Sequence, residues 1–495
     1  MNGQPRTIVI VGAGFCGTTL AVNLLRMARG QALRVILIER AQFARGLAYS
    51  RHKYPYLLNV PAGRMSANAD DPGEFLAFAQ RSHPDAGASD FLPRELYGEY
   101  LEALLRSAES QAAGASLQRL VGAAVAIERA HRRAGFHVYL ADGRSVHADE
   151  LVLATGNPGP AALPGHEKLR GSANYVGDPW KAPPRFRAGE SVLIVGTGLT
   201  MADVVMAGTP PEGPPVKIHA LSRRGLVPAA QTPFVAGDTA VRLELLSRAH
   251  EAPGSVVHLS RTARTLAREL ARSGDDWRKV VTAIRETAPQ LWQRLPAPAR
   301  RQFVTHLRPY WDVHRHRIPE STAAALRALQ QDGQLAVHAG RIIGFAPAGK
   351  LIEVRYRPRG PRPVATLLVH RVINCTGPNY DVTQTQERVL RGLLAQGVAT
   401  PDPLHLGLAT DSLGRLIGVS GNTTRDLYYV GPLLRARDWE STAASELRLH
   451  AVRLARHLCA ARAEDFGGMA ASAATREGAS LAPIVSGRVE RQAAG

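Results

Sequence analysis

A chain of 495 residues, 45% hydrophobic and 21% charged, is long enough for two or three domains with sizeable cores. Lys+Arg exceed Asp+Glu by 61 − 42 = 19, an excess that favours anionic cofactors and substrates; the cations are scattered, without the basic stripe interleaved with aromatics that marks a nucleic-acid binder. Cys16, Cys375 and Cys459 stand far apart with no CxxC, so neither a redox dithiol nor a zinc site is suggested. No apolar run approaches the roughly 20 residues that cross a bilayer, and a first strand starting about seven residues in leaves no room for a cleaved leader. A cytoplasmic protein with no metal, no nucleic acid and no membrane partner is expected.

Residues 7–40 read as strand, glycine turn, helix, strand and acid. The apolar run 8–11 leads into Gly12-x-Gly14-x-x-Gly17, with Phe15 and Cys16 inside the loop. An amphipathic run at 18–27 and a second apolar run at 35–38 follow, ending in Glu39-Arg40. Gly12 makes the tight turn, Gly14 lets the backbone approach a pyrophosphate, and Gly17 lets the helix pack on the strand. The helix N-terminus offers free N–H groups to phosphates. Glu39, about 20 residues past the last glycine, is placed to accept hydrogen bonds from ribose hydroxyls. Cys16 reads as a small residue packed against the cofactor backbone, not as a redox group.

An ordered loop carrying Asn59, Pro61, Arg64, Met65 and Ser66 comes next, then helices at 72–80 and 93–107. Strands are predicted at 119–127, 136–141 and 145–155, the last ending in Thr155-Gly156. After a Pro/Gly linker, 191–203 repeats the opening pattern: Gly196 and Gly198, then Leu199 and Thr200, with Met201 where the third glycine would stand. The matching second strand, 216–221, ends in Ser222-Arg223-Arg224. Residues 240–331 read as helical throughout and interrupt the pattern. Strands at 335–345, 351–357 and 365–374 close on Thr376-Gly377. A strand at 427–432 ends in Gly431-Pro432, and a helix at 439–461 begins with Ser441 and Thr442. The Ala/Gly/Ser-rich end, 464–495, reads as a disordered tail.

The chain thus holds an internal repeat: glycine-rich βαβ, meander, then a strand ending in Thr-Gly. With a final strand and helix, this resembles the two-dinucleotide flavoproteins, which bind FAD in the first unit and NAD(P)H in the second. The segments ARGLAYS at 44, LLNVPAGRMSA at 57, FLPRELYGEYL at 91, HLRPYWDVHRHR at 306 and GPLLRARDWESTA at 431 look most like bacterial FAD/NAD(P)-binding proteins of largely unassigned function. A more distant similarity is to the flavin-dependent N-hydroxylating and Baeyer–Villiger-type monooxygenases. Two departures stand out. Pro432 follows Gly431 where reductases of this class have an aspartate, and 174–180 lacks the histidine usual in the monooxygenases.

The fold expected is α/β, two Rossmann-like dinucleotide-binding domains with β-meanders and a helical insertion. Residues 1–185 and 370–463 would form the FAD domain, and 186–369 the NADPH domain with its insert at about 240–331. The resemblance implies FAD contacts from Gly12 to Gly17, Glu39, Arg40, Thr155, Gly156, Thr376, Gly377, Gly431 and Pro432. An acid at the end of the second unit's second strand would serve a ribose 2′-hydroxyl; an arginine serves a 2′-phosphate. Ser222-Arg223-Arg224 therefore predicts NADPH. Asn59 and Ser66 read as flavin or substrate contacts, or as loop residues satisfying their own turns. Ser441 and Thr442 read as flavin contacts or as helix caps. Arg308 and Asp312, in the polar-aromatic run 308–317, read either as a substrate pocket or as an inter-domain interface. His314 and His316, two apart on a helix, do not suit a joint metal site.

The function expected is an NADPH-dependent flavin monooxygenase that uses O₂, through a C4a-(hydro)peroxyflavin, on a small amine or other soft nucleophile. A flavin reductase or dehydrogenase feeding a partner or quinone, and a non-catalytic nucleotide-sensing module, are the alternatives.

Overall fold

Alternate residues of the first strand, β1 (Arg6–Val11), face different layers. Ile8 and Ile10 enter one core, Val9 and Val11 another. This is a computed structural model, which describes residues 5–130, 134–181, 183–209, 215–231 and 238–460; the tail at 464–495 lies outside them.

α1 (Phe15–Met27) follows the glycine turn, and β2 (Leu33–Glu39) pairs parallel with β1. α2 (Glu74–Ala79) and α3 (Arg94–Ser110) come next, and β3 (Ala115–Val121) lies parallel to β2. β4 (Ala124–Arg129), β5 (Phe136–Leu140) and β6 (Ser145–Ala148) form an antiparallel meander; β7 (Glu150–Leu153) returns to the other side of β1.

The second unit opens with β8 (Tyr175–Val176), β9 (Ser191–Val195), α4 (Leu199–Gly208) and β10 (Lys217–Ser222). Then come α5 (Thr239–His250), α6 (Val256–Arg272), α7 (Arg278–Arg294), α8 (Ala297–Gln302), α9 (Arg308–Arg315) and α10 (Glu320–Gln331). Asp238 caps α5 and Ser255 caps α6, each accepting backbone N–H groups of the first turn. β11 (Leu335–Ala348), β12 (Leu351–Pro358), β13 (Ala365–Val369) and β14 (Arg371–Asn374) complete this unit. The chain then re-enters the first unit through α11 (Arg388–Ala395), β15 (Arg415–Ile417), β16 (Thr423–Tyr429) and α12 (Ala444–Ala460).

The two parallel sheets have the same order. The first runs β16-β7-β1-β2-β3 and the second β8-β14-β9-β10-β11. The α/β fold with two Rossmann-like units is therefore present. Each outermost strand beside the Thr-Gly strand comes from outside its own βαβ run: β16 from far downstream, β8 from the linker upstream. One face of the first sheet packs on α1, α3 and α12, the other on the meander and residues 380–434.

Several elements differ from their sequence reading. The strand expected at 119–127 is two strands in two sheets, β3 and β4, parted at Gly122, where a Cβ would crowd the Leu140 side chain. The second unit does the reverse: β11 pairs parallel with β10 up to Ala339 and antiparallel with β12 from Gly340, one strand serving both layers. The stretch 145–155 also divides, at Asp149, whose carboxylate accepts the Thr7 N–H at 2.8 Å. His370 divides 365–374. The last helix starts at Ala444, not at 439, because Trp439, Glu440 and Ser441 are buried in the preceding turn. Finally α10, read as part of the insert, packs on α4 and β11 and so is the crossover helix of the second βαβ unit.

The insert is tied to the end of the first unit. Trp292 donates its indole N–H to the Ala436 carbonyl at 2.8 Å and lies 4.8 Å, centroid to centroid, from Trp439. Arg315 meets Glu440 at 2.8 Å and Arg285 meets Glu446 at 3.5 Å. Between the two units, Arg94 at the start of α3 pairs with Asp203 on α4 at 2.8 Å, its guanidinium over Trp180 and Tyr56.

Candidate functional site

The two glycine turns are near-copies. Gly12 has φ +104° and Gly196 φ +108°; a Cβ on Gly12 would strike the Ala154 carbonyl, one on Gly196 the Cys375 carbonyl, each the residue before a Thr-Gly pair. Gly14 and Gly198 share an extended conformation before their helices (φ −74°, ψ −161° and φ −90°, ψ −157°). Neither helix has a side-chain cap, so the first-turn N–H groups are left for an anion. Gly156 and Gly377 both take positive φ, +74° and +80°.

The turns differ at the third position. A Cβ on Gly17 would collide with the Gly12 carbonyl, so α1 lies directly on its turn. Met201 instead buries its side chain among Phe186, Val192, Ala220 and Ile373, and the turn before it keeps its geometry. Phe15 and Cys16 point into the core, and burial pushes the Cys16 thiol up to about 12, which holds it protonated and inert.

At the strand ends the chemistry diverges. Glu39 accepts the Ala13 N–H at 2.9 Å with one oxygen and the Arg40 N–H at 2.9 Å with the other, fixing the carboxylate over the first turn. Arg40 itself reaches out to Glu387 at 3.7 Å. Ser222 takes a hydrogen bond from Thr197 at 2.8 Å and one from the Gly225 N–H at 3.0 Å, so its hydroxyl shapes the loop. Arg223 is exposed and its charge is disfavoured, chiefly by desolvation and then by Arg224, Arg341 and Arg308. Arg224 is partly engaged with the His306 carbonyl at 3.2 Å and the Tyr310 ring.

Gly431 (φ +146°) leads into Pro432 and a 3₁₀ turn, Pro432–Ala436. Ser441 and Thr442 follow in the turn before α12, and the Ser441 hydroxyl is buried with no partner among the described residues. Asn59 is half-buried, and its side chain makes no hydrogen bond among the described residues. Ser66, by contrast, is fully engaged: its hydroxyl bonds the Asp71 and Asn68 carbonyls and accepts the Asn68 N–H. An unspent amide, an unmet buried hydroxyl and a glycine turn that no side chain could fill are what a dinucleotide needs. The residues of the first unit fit FAD.

Asp312 meets two cations, Arg308 at 3.2 Å and Arg435 at 3.7 Å, and lies 3.9 Å from the His316 ring. Arg435 is buried with its guanidinium 4.0 Å from the Trp439 ring centroid. Burial drives the His316 imidazole well below its usual range and nearby arginines add to it, so the ring is neutral. His314 faces Trp277 instead, and no metal cluster occurs among the described residues. Sequence reasoning did not bring together Arg64 in the loop after β2, Arg278 and Arg285 on α7, and Arg315 and Arg317 around the end of α9. Desolvation, and after it the fields of the neighbouring arginines, pulls both Arg64 and Arg317 down to about 10.

The comparisons agree with this geometry. A family model described as FAD-NAD(P)-binding matches residues 9–158. No curated protein matches. Among solved structures, L-lysine 6-monooxygenase from Pseudomonas syringae is similar at 16% identity and TM-score 0.62, covering 91% of this chain and 98% of the other. The reduced form of ornithine hydroxylase from Pseudomonas aeruginosa is similar at 15% and 0.58, covering 92% and 99%. Bacillithiol disulfide reductase from Staphylococcus aureus is similar at 12% and 0.54, covering 93% and 100%. The chain has the fold of the two-dinucleotide flavoproteins. Among the described residues no helix is long and apolar enough to cross a membrane.

Proposed function

We propose that the protein is an FAD-dependent, NADPH-using oxidoreductase that works as a monooxygenase on a small amine or another soft nucleophile. The observation that carries this is the pair of matched glycine turns, one under a carboxylate and the other beside Arg223, which no carboxylate pairs among the described residues. Glu39 holds the FAD ribose, and the α1 N-terminus takes its pyrophosphate. Arg223 holds the 2′-phosphate of NADPH, which sets the preference for that nucleotide. The loop through Asn59, with Ser441 and Thr442, supports the ring system. Bound FAD supplies hydride acceptance and the activation of oxygen.

The chain's own contribution is orientation and exclusion of water. The Arg94–Asp203 pair keeps the two nucleotide sites in register, and the insert, tied at Trp292, Arg315 and Glu446, closes one side of the region. Three buried, separated cysteines leave no dithiol for disulfide reduction.

The test is to reduce the FAD-loaded protein with NADPH and mix it with O₂ while recording spectra. An absorbing species that outlasts mixing before the oxidised spectrum returns supports oxygenation. Immediate return of the oxidised spectrum points to a reductase, and failure of NADPH to bleach the flavin refutes the whole reading.

A further inference from the structure

Five arginines from three separate segments feel one another's charge: Arg285 and Arg315 act on Arg64, and Arg278, Arg315 and Arg64 act on Arg317. Arg64 ends the 3₁₀ turn Ala62–Arg64, Arg278 and Arg285 lie on α7, and Arg315 and Arg317 bracket the end of α9. Four carboxylates accompany them, and each is already taken. Asp276 pairs with Arg278 at 3.2 Å, Glu440 with Arg315 at 2.8 Å, Glu446 with Arg285 at 3.5 Å, and Glu286 is shared between Arg285 and Arg242. Arg317 has no ion pair among the described residues, and its buried Nε and Nη1 have no hydrogen-bond partner. It is nonetheless held firmly: the next residue, Ile318, exchanges backbone hydrogen bonds with Ala229 and Gln231 of the loop after β10. Unmet guanidinium donors shielded from water are costly unless a ligand meets them. A cationic group brought here would find no free acid among the described residues and several like charges.

We propose that this arginine cluster receives the substrate, and that the substrate carries more negative than positive charge: an organic acid, with a carboxylate or phosphate group seated on Arg317. The assignment rests on reading the adjoining loop as part of the flavin site, and it narrows the soft nucleophile to one borne on an anion. The positively charged amine end of a basic amino acid is disfavoured here. Desolvation, and after it the fields of neighbouring arginines, disfavours the charges of Arg64 and Arg317, and an arriving anion relieves the repulsion part of that cost.

Isothermal titration calorimetry on the FAD-loaded protein at fixed ionic strength tests this, with glutarate, inorganic phosphate, ornithine and putrescine as probes. Glutarate or phosphate should bind saturably, ornithine more weakly and putrescine not at all. Whichever of the two anions wins identifies the oxyanion. Arg317→Gln should weaken the better anion about tenfold or more, and Arg317→Lys should recover part of the loss. Tighter binding of ornithine or putrescine than of either anion, no anion binding, or an Arg317→Gln affinity equal to wild type overturns the inference. Reduction by NADPH is measured on the same samples. A protein that NADPH reduces but that ignores anions removes only this proposal; one that binds anions but is not reduced removes the functional reading instead.

Discussion

Replacing Arg223 by Gln isolates the contact that should distinguish NADPH from NADH. The side chain is exposed at the end of β10, and no carboxylate pairs with it among the described residues; its charged neighbours are Arg224, Arg341 and Arg308. Ser222 is occupied with Thr197 and Gly225, and Arg224 with His306 and Tyr310, which leaves Arg223 as the main donor to a 2′-phosphate. A hydrogen bond to a charged group contributes about 1.5–3 kcal/mol, so the KM for NADPH should rise about 10- to 150-fold while that for NADH stays level. The fold should not suffer. Loss of Arg223 removes repulsion and breaks no ion pair, so the melting temperature holds or rises slightly. Stopped-flow flavin reduction with both nucleotides reads the first effect and thermal unfolding the second. Wild-type protein that reduces equally fast with NADPH and NADH, or a variant that loses both equally, refutes the reasoning.

Gly17→Ala places a methyl group against the Gly12 carbonyl and pushes α1 off its turn; the purified variant should be colourless, and one retaining a full flavin complement would contradict the packing argument. Arg6 is buried against Glu150 at 2.6 Å and donates to the Leu458 carbonyl at 2.6 Å, so Arg6→Ala should cost about 3–5 kcal/mol at neutral pH by stranding the carboxylate. Burial already holds the Glu150 carboxyl above its usual range, and losing Arg6 raises it further. An acid whose folded pKa exceeds its unfolded one binds the extra proton in the fold, so the penalty should shrink as the pH falls through that window toward 4.5. Urea denaturation at pH 7 and at acid pH checks it; a penalty independent of pH would show that Glu150 does not carry the effect.

What could be read from the sequence was what sterics alone dictates. Gly12, Gly17 and Gly196 sit where a side chain would meet backbone, so their spacing carried the architecture without help from tertiary context. The β-branched run 8–11 and the apolar run 35–38 gave their strands for the same local reason. Alternation cannot report which sheet a strand belongs to. Hence β3 and β4 looked like one strand, although their counterpart β11 is one strand. Ser441 and Thr442 have the composition of a helix cap, but burial of Trp439 and Glu440 against the insert keeps that segment a turn. The arginine cluster was hidden because its members lie in three segments, joined only by folding, with nothing in the spacing to connect Arg64 to Arg317.

The late return of the chain has a consequence for biosynthesis. β16 and α12 belong to the first unit, yet about 270 residues, the whole second unit among them, are translated between β7 and β16. A nascent chain paused after β14 would expose the open flank of β7 and the apolar surface of α1 that α12 later covers. The ties at Ala436, Glu440 and Glu446 are made in that same closing stretch. Completion of the first unit thereby waits for β16 and α12, and neither half can be expressed alone by cutting the gene at one point.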